Sequence, residues 1–154
     1  MEKQAKPIEI LLVEDSPSDA QLVLEAFEEF RFANRVSSVS DGESALAYLR
    51  REGRWKDAHR PDLIFLDLNL PRKDGREVLA DIKADPDLCA IPVVVMTTSA
   101  AETDVLRCYH LQASSYVVKP LNIERFLETI RTLGEYWFQV VRCQGFTAFR
   151  SLAS

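Results

Sequence analysis

The chain has 154 residues, 47% of them hydrophobic and 28% charged, with a net charge of -5. That length suits one domain with a single sizeable core, and the composition is neither the apolar-poor pattern of a disordered chain nor the basic footprint of a general nucleic-acid binder. No apolar stretch nears the roughly 18 residues needed to cross a membrane, and residues 1–6 lack the apolar core of a secretory signal, so the expected location is cytoplasmic.

The first apolar run, Ile8–Val13, predicts a strand ending in Glu14-Asp15. Ser16 suits a helix N-cap and Pro17 the first helical position. Ala20, Val23, Leu24, Phe27 and Phe30 then recur at helical spacing as a buried stripe. A short strand is expected over 36–39. Asp41 is placed to cap a helix carrying Ala45, Leu46 and Leu49, and a long basic connection runs from Arg50 to Arg60. A third strand, 62–67, ends in Asp67. Val78, Leu79 and Ile82 give the apolar face of a helix over 75–84. A fourth strand, 93–97, ends in Thr97, a helix spans 102–111, and a fifth strand over 115–118 leads into Lys119-Pro120. Asn122 is placed to cap a long final helix.

Five strands alternating with five helices predict an α/β sheet covered on both faces, and the nearly all-apolar runs agree. Right-handed crossovers leave few topologies. The expected one is flavodoxin-like, a doubly wound five-stranded parallel sheet in the order 2-1-3-4-5 with an extended C-terminal helix. Its switch point lies between strands one and three and brings Glu14-Asp15 beside Asp67.

Four of the strands, those ending at Glu14-Asp15, Asp67, Thr97 and Lys119, thus deliver polar chemistry at the carboxyl end, where open parallel sheets react. Two carboxylates about 4 Å apart repel by on the order of 4 kcal/mol at an effective dielectric near 20. A divalent cation relieves this, and oxygen donors without His or Cys favour Mg2+ or Mn2+ over zinc. Asp15 and Asp67 are the expected direct ligands, Glu14 acts through water, and the Asn69 backbone carbonyl adds an oxygen. A carboxylate beside such a cation can attack a phosphoryl group, and Asp67, on the central strand, is the candidate. Lys119 can pair with a phosphoryl oxygen and Thr97 can donate to one. Cys89, Cys108 and Cys143 are widely spaced and form no metal or disulfide pattern, and His59 and His110 have no partners in sequence.

The ordered set Glu14-Asp15, Asp67-Leu68-Asn69-Leu70-Pro71-Arg72-Lys73-Asp74-Gly75, Thr97, Tyr116 and Lys119-Pro120 resembles a response-regulator receiver domain of two-component signalling, over about residues 8–141. The resemblance implies that Asp67 is the phosphoacceptor for a histidine kinase. It further implies that Glu14 and Asp15 organise magnesium and that Thr97, Tyr116 and Lys119 convey the switch. The protein would then be a phosphorelay component that promotes its own phosphorylation and dephosphorylation, with no other enzyme activity. A narrower likeness, to single-domain receivers that partner phytochrome histidine kinases, rests on four features. They are the Arg50–Arg60 connection, the Leu68–Arg72 wording, Thr97-Thr98-Ser99-Ala100 and the aromatic final helix. Thr98 departs from the smaller residue many receivers carry there. The receiver is expected over 8–143, after an N-terminal extension (1–7) and before a C-terminal tail (144–154).

Ile123, Phe126, Leu127, Ile130, Leu133, Trp137, Val140 and Val141 make a broad apolar band on the final helix. One stripe can cover the sheet. The rest, above all Trp137 and Phe138, is expected to stay exposed in a monomer and to form a homodimer. The basic residues Arg50, Arg51, Arg54, Lys56 and Arg60 are not read as a nucleic-acid site, because no DNA-reading helix accompanies them. Output is expected through a downstream protein or phosphotransfer partner. Two other readings stay open at this point: a constitutive, phosphorylation-independent interaction module, and an aspartyl-nucleophile phosphatase. The phosphatase wants an acid two positions after Asp67, where this chain has Asn69.

Overall fold

Strands β1 (Ile8–Val13), β2 (Asn34–Val39), β3 (Leu63–Asp67), β4 (Val93–Thr97) and β5 (Ser115–Val118) form one parallel sheet in the order β2-β1-β3-β4-β5. The structure, a computed structural model, describes residues 7–30, 33–97, 113–118 and 123–153. Helices α1 (Pro17–Glu28), α2 (Gly42–Leu49) and α3 (Gly75–Ala84) and the C-terminal helix (Ile123–Ala153) accompany the sheet. The expected helix over 102–111, Lys119, Asn122 and Thr98 lie outside the described residues. No helix among those described is long and apolar enough to cross a membrane.

Side chains alternate across the strands and divide the core into two layers. Leu11, Val13, Ile64, Leu66, Val93 and Val95 pack with Leu46, Leu49, Val78, Leu79 and Ile82, so α2 and α3 cover that face. Ile8, Ile10, Leu12, Leu63, Phe65, Val94 and Met96 pack with Val23, Phe27, Ile130 and Phe138, so α1 and the C-terminal helix cover the other. The helix starts follow their caps. Ser16 Oγ accepts from Asp19 N at 3.3 Å, and Asp41 Oδ1 accepts from Ser44 N at 2.7 Å.

β2 begins at Asn34, two residues before the expected start. Asn34 and Arg35 look too polar for a strand. They pair with Ile8 and Glu9 at the sheet edge, where an Arg35–Glu9 ion pair of 2.9 Å satisfies the charges.

The expectation that Trp137 and Phe138 are exposed is overturned. Phe138 is fully buried, edge-on to Phe30 with ring centroids 4.9 Å apart. Trp137 is half-buried, and its indole N–H donates to Ser115 Oγ at 2.7 Å. Gly134 makes the room. A Cβ there would fall 2.3 Å from Phe30 Cζ, so the bare backbone lets that ring wedge between the C-terminal helix and Phe27. Among the described residues Tyr136 is a large hydrophobic side chain left exposed, at 58%. The C-terminal helix continues past residue 143 to Ala153 without a break.

Candidate functional site

The parallel register sets the site. Val13 lies opposite Leu66 in the β1–β3 pairing, so the next residues, Glu14 just past β1 and Asp67 at the end of β3, emerge level with one another. One carboxylate oxygen each from Glu14, Asp15 and Asp67 lie within 4.8 Å of one another. Glu14 and Asp67 are buried, at 2% and 4% exposure, while Asp15 is open to solvent. Backbone amides orient the two buried acids. Ser16 N donates to Glu14 Oε2 at 3.3 Å, and Asn69 N donates to Asp67 Oδ1 at 3.0 Å.

The strand ends are themselves tied down. Glu14 N donates to Val39 O at 3.0 Å and Leu68 N to Met96 O at 3.1 Å, so the two acids are anchored to their neighbouring strands. Gly75 N closes the loop after Asp67 by donating to Leu68 O at 2.9 Å. Asp74 caps α3, its Oδ1 accepting from Arg76 N at 2.7 Å. On the α2 side, a Cβ on Gly42 would fall 2.1 Å from the Lys73 carbonyl oxygen, so this helix start lies directly on the loop that follows Asp67.

Thr97 is the last residue of β4, fully buried, and pairs with Val118 of β5. Tyr116 lies in β5 opposite Val95. Asn69 is exposed beside Asp67. Sequence reasoning therefore finds the three acids and places Thr97 at the same sheet edge. It names Asp74 and Gly75 in the motif without giving them a scaffold role, and it does not single out Gly42. The Asp74-Gly75 pair, following Pro71 and opening a periodic helix, was the available signal for that role.

Burial pushes the Asp41 carboxyl up, but the backbone and hydroxyl of Ser44, the Arg72 charge and the Glu43 amide outweigh it. The net position lies below the usual carboxylate value. Asp41 is thus a charged cap, 7% exposed, on the element next to the acid cluster.

Three acids in so small a space are mutually repulsive, and an oxygen-only donor set of this kind suits a hard divalent cation. A family model described as response regulator receiver domain matches residues 10–131. The chain belongs to the response-regulator receiver family. This receiver is a signalling protein, 44% identical over 135 residues to response regulator Rcp1 of Synechocystis sp., across 88% of this chain and 92% of Rcp1. It is also 44% identical over 140 residues to the probable methanogenesis regulatory protein FilR2 of Methanothrix harundinacea, across 90% of this chain and 89% of FilR2. Among solved structures it resembles the phosphorylated cyanobacterial phytochrome response regulator RcpA, with a TM-score of 0.84 and 45% identity, covering 88% of this receiver and 96% of RcpA. The Mn(2+)-bound form of Rcp1 gives a TM-score of 0.82 and 44% identity, with coverage of 85% and 94%. The flavodoxin-like parallel α/β fold expected from the sequence is the fold of these proteins and of this receiver.

Proposed function

We propose that this receiver accepts a phosphoryl group from a histidine kinase onto Asp67 and alters a protein-binding face in response. The observation that carries the reading is the convergence of Glu14, Asp15 and Asp67 within 4.8 Å at the carboxyl edge of a parallel sheet. An Asp67 oxygen attacks phosphorus of the phosphohistidine. The new O–P bond forms as the N–P bond breaks, and the imidazole leaves with the bonding pair and takes a proton from solvent. Glu14, Asp15, Asp67 and the Asn69 carbonyl would hold Mg2+ or Mn2+. The manganese form of Rcp1 and the oxygen-only donor set support this. When bound, the cation offsets the clustered charge and that of the transferring phosphoryl oxygens.

Asn69 N donates to Asp67 Oδ1, so the backbone fixes one oxygen of the nucleophile. Lys119 pairs with one phosphoryl oxygen and the Thr97 hydroxyl donates to another, and the same groups serve the later hydrolysis, in which a water O–P bond forms as the Asp67 O–P bond breaks and inorganic phosphate leaves. The phosphoryl group draws the Thr97 hydroxyl inward and vacates space for the Tyr116 ring, shifting the population toward a second conformer because it interacts better with that conformer. β5 carries Tyr116, and Ser115 beside it accepts the Trp137 hydrogen bond, so the route from the site to the C-terminal helix is short.

The proposed setting is cytoplasmic, with residues 8–143 as the working receiver, residues 1–7 and 144–154 flanking it, and a downstream protein or phosphotransfer partner. A phytochrome kinase is the proposed donor because RcpA is a phytochrome response regulator. A homodimer through the C-terminal helix belongs to the same reading. With Phe138 buried, its support narrows to exposed Tyr136 and to Phe146, Phe149 and Leu152 in the sequence of the helix end. Phosphotransfer from a panel of autophosphorylated histidine kinases, phytochrome kinases and others, tests donor and acceptor together. Transfer to the wild type and none to Asp67→Asn is expected, fastest from a phytochrome kinase. Equal transfer to both proteins would exclude Asp67.

A further inference from the structure

A second, polar pocket of about 420 Å3 lies on the α2 side of the acid cluster, lined by Ser38, Ser40, Asp41, Ser44, Arg54 and Arg72. Its walls come from the end of β2, the start of α2, the 3-10 turn Gly53–Trp55 and the loop after Asp67. Its size is that of a small-molecule site, and Val39 is the single apolar residue in a lining otherwise made of serines and charged side chains, which suits a polar ligand better than a large organic one.

Two features make it more than a patch of surface charge. The Arg54 guanidinium stacks over the Trp55 ring, 4.3 Å from the centroid, and Trp55 is itself edge-on to Tyr48 at 5.3 Å. Tyr48 in turn donates to Ser37 Oγ at 3.0 Å, so the arginine is held by a chain of contacts reaching β2. Arg72 adopts φ 67, a left-handed conformation that a non-glycine residue takes at a cost and that clusters at ligand clamps. Among the described residues neither guanidinium makes a hydrogen bond or an ion pair, and the Ser38 and Ser40 hydroxyls have no hydrogen-bond partner. Asp41 is the opposing charge. Its Oδ1 accepts from Ser44 N at 2.7 Å and its Oδ2 from Ser44 Oγ at 2.9 Å, so both oxygens are bonded to α2 while the Arg72 charge also acts on the carboxylate.

We propose that this pocket binds a small dianionic oxyanion, a phosphate monoester or a dicarboxylate, between the guanidiniums of Arg54 and Arg72. Guanidinium forks match the paired oxygens of either group, and the two serine hydroxyls can donate to the rest. The site is separate from Asp67 and does not depend on its phosphorylation.

The test titrates the isotope-labelled full chain with inorganic phosphate and, separately, with succinate, at constant ionic strength and with a chelator present to strip divalent cations. Amide shifts are read by NMR. Saturable shifts confined to residues 38–44 and to Arg54 and Arg72 are expected with at least one anion. Arg54→Gln and Arg72→Gln should each raise the midpoint by about tenfold, the scale of losing a charged hydrogen bond. Arg54 and Arg72 are exposed, and the same spectra report whether each variant is folded. Saturation by phosphate alone assigns the ligand as a phosphate monoester, and by succinate alone as a dicarboxylate. Saturation by neither, or variants that bind as the wild type does, overturns the proposal.

Discussion

Gly75 rests on the backbone of Asp67. A Cβ at position 75 would fall 2.3 Å from the Asp67 carbonyl oxygen and 2.6 Å from Leu68 Cα. The first residue of α3 thereby fixes the exit path of the chain from β3, and with it the loop whose Asn69 amide holds the Asp67 carboxylate. Because both contacts are with backbone, no rotamer change relieves them. Gly75→Ala should lower stability by about 1–3 kcal/mol, the range for overpacking a tight site. A fall in the urea midpoint at unchanged slope checks this; an unmoved midpoint would mean that the loop yields freely.

Asp41 supplies a pH dependence. Its folded-state carboxyl titrates below the usual value of 3.8, so between the two values the unfolded chain binds more protons and stability rises with pH. The contribution is complete above the unfolded value and is lost as pH falls through the folded one. Asp41→Asn keeps a capping side chain but has one acceptor oxygen for the two Ser44 donors. It should cost about 1 kcal/mol at neutral pH, the gap between charged and neutral hydrogen bonds. Chemical denaturation from pH 7 down to pH 3 should show the two proteins converging. A constant offset across that range would assign the cost to shape rather than charge.

Metal removal should expose the repulsion among Glu14, Asp15 and Asp67. Asp15 is the exposed member, so Asp15→Asn relieves charge without burying an unsatisfied group. In chelator the variant should melt above the wild type. In millimolar Mg2+ the wild type should gain and the variant gain less, because binding stabilises the folded state in proportion to occupancy. Scanning calorimetry with and without chelator reads both effects, and identical gains would remove Asp15 from the ligand set.

Much of this is legible in the sequence, and the reasons are physical. Strands buried on both faces announce themselves as apolar runs, which is why Glu14, Asp15, Asp67 and Thr97 could be placed at one edge. Ser16, Pro17 and Asp41 carry their capping chemistry in their identity. The misses are residues whose role depends on what lies across from them in space. The polar start of β2 makes sense only beside Glu9. Phe138 is buried because Gly134, a full turn earlier, lacks a side chain where Phe30 arrives from a distant helix end. The left-handed Arg72 has no sequence signal at all, since nothing about arginine predicts that conformation.

That account of Phe138 predicts coupling. Alanine is the better helix former by about 1 kcal/mol, yet Gly134→Ala drives a Cβ into the Phe30 ring, which is packed on one side by Phe27 and on the other by Phe138. The single variant should be destabilised by about 1–3 kcal/mol. In a Phe30→Leu background the same change should become neutral or stabilising. A double-mutant cycle of denaturation midpoints measures the interaction, and additive effects would show that the ring is not the obstacle.

The central claim is that Asp67 carries the phosphoryl group. Intact-mass spectrometry after incubation with acetyl phosphate and Mg2+ tests it most directly. The account predicts one added phosphoryl group on the wild type, released by hydroxylamine as an acyl phosphate must be, and no addition in chelator or on Asp67→Asn. The same hydroxylamine-labile mass on Asp67→Asn would contradict it.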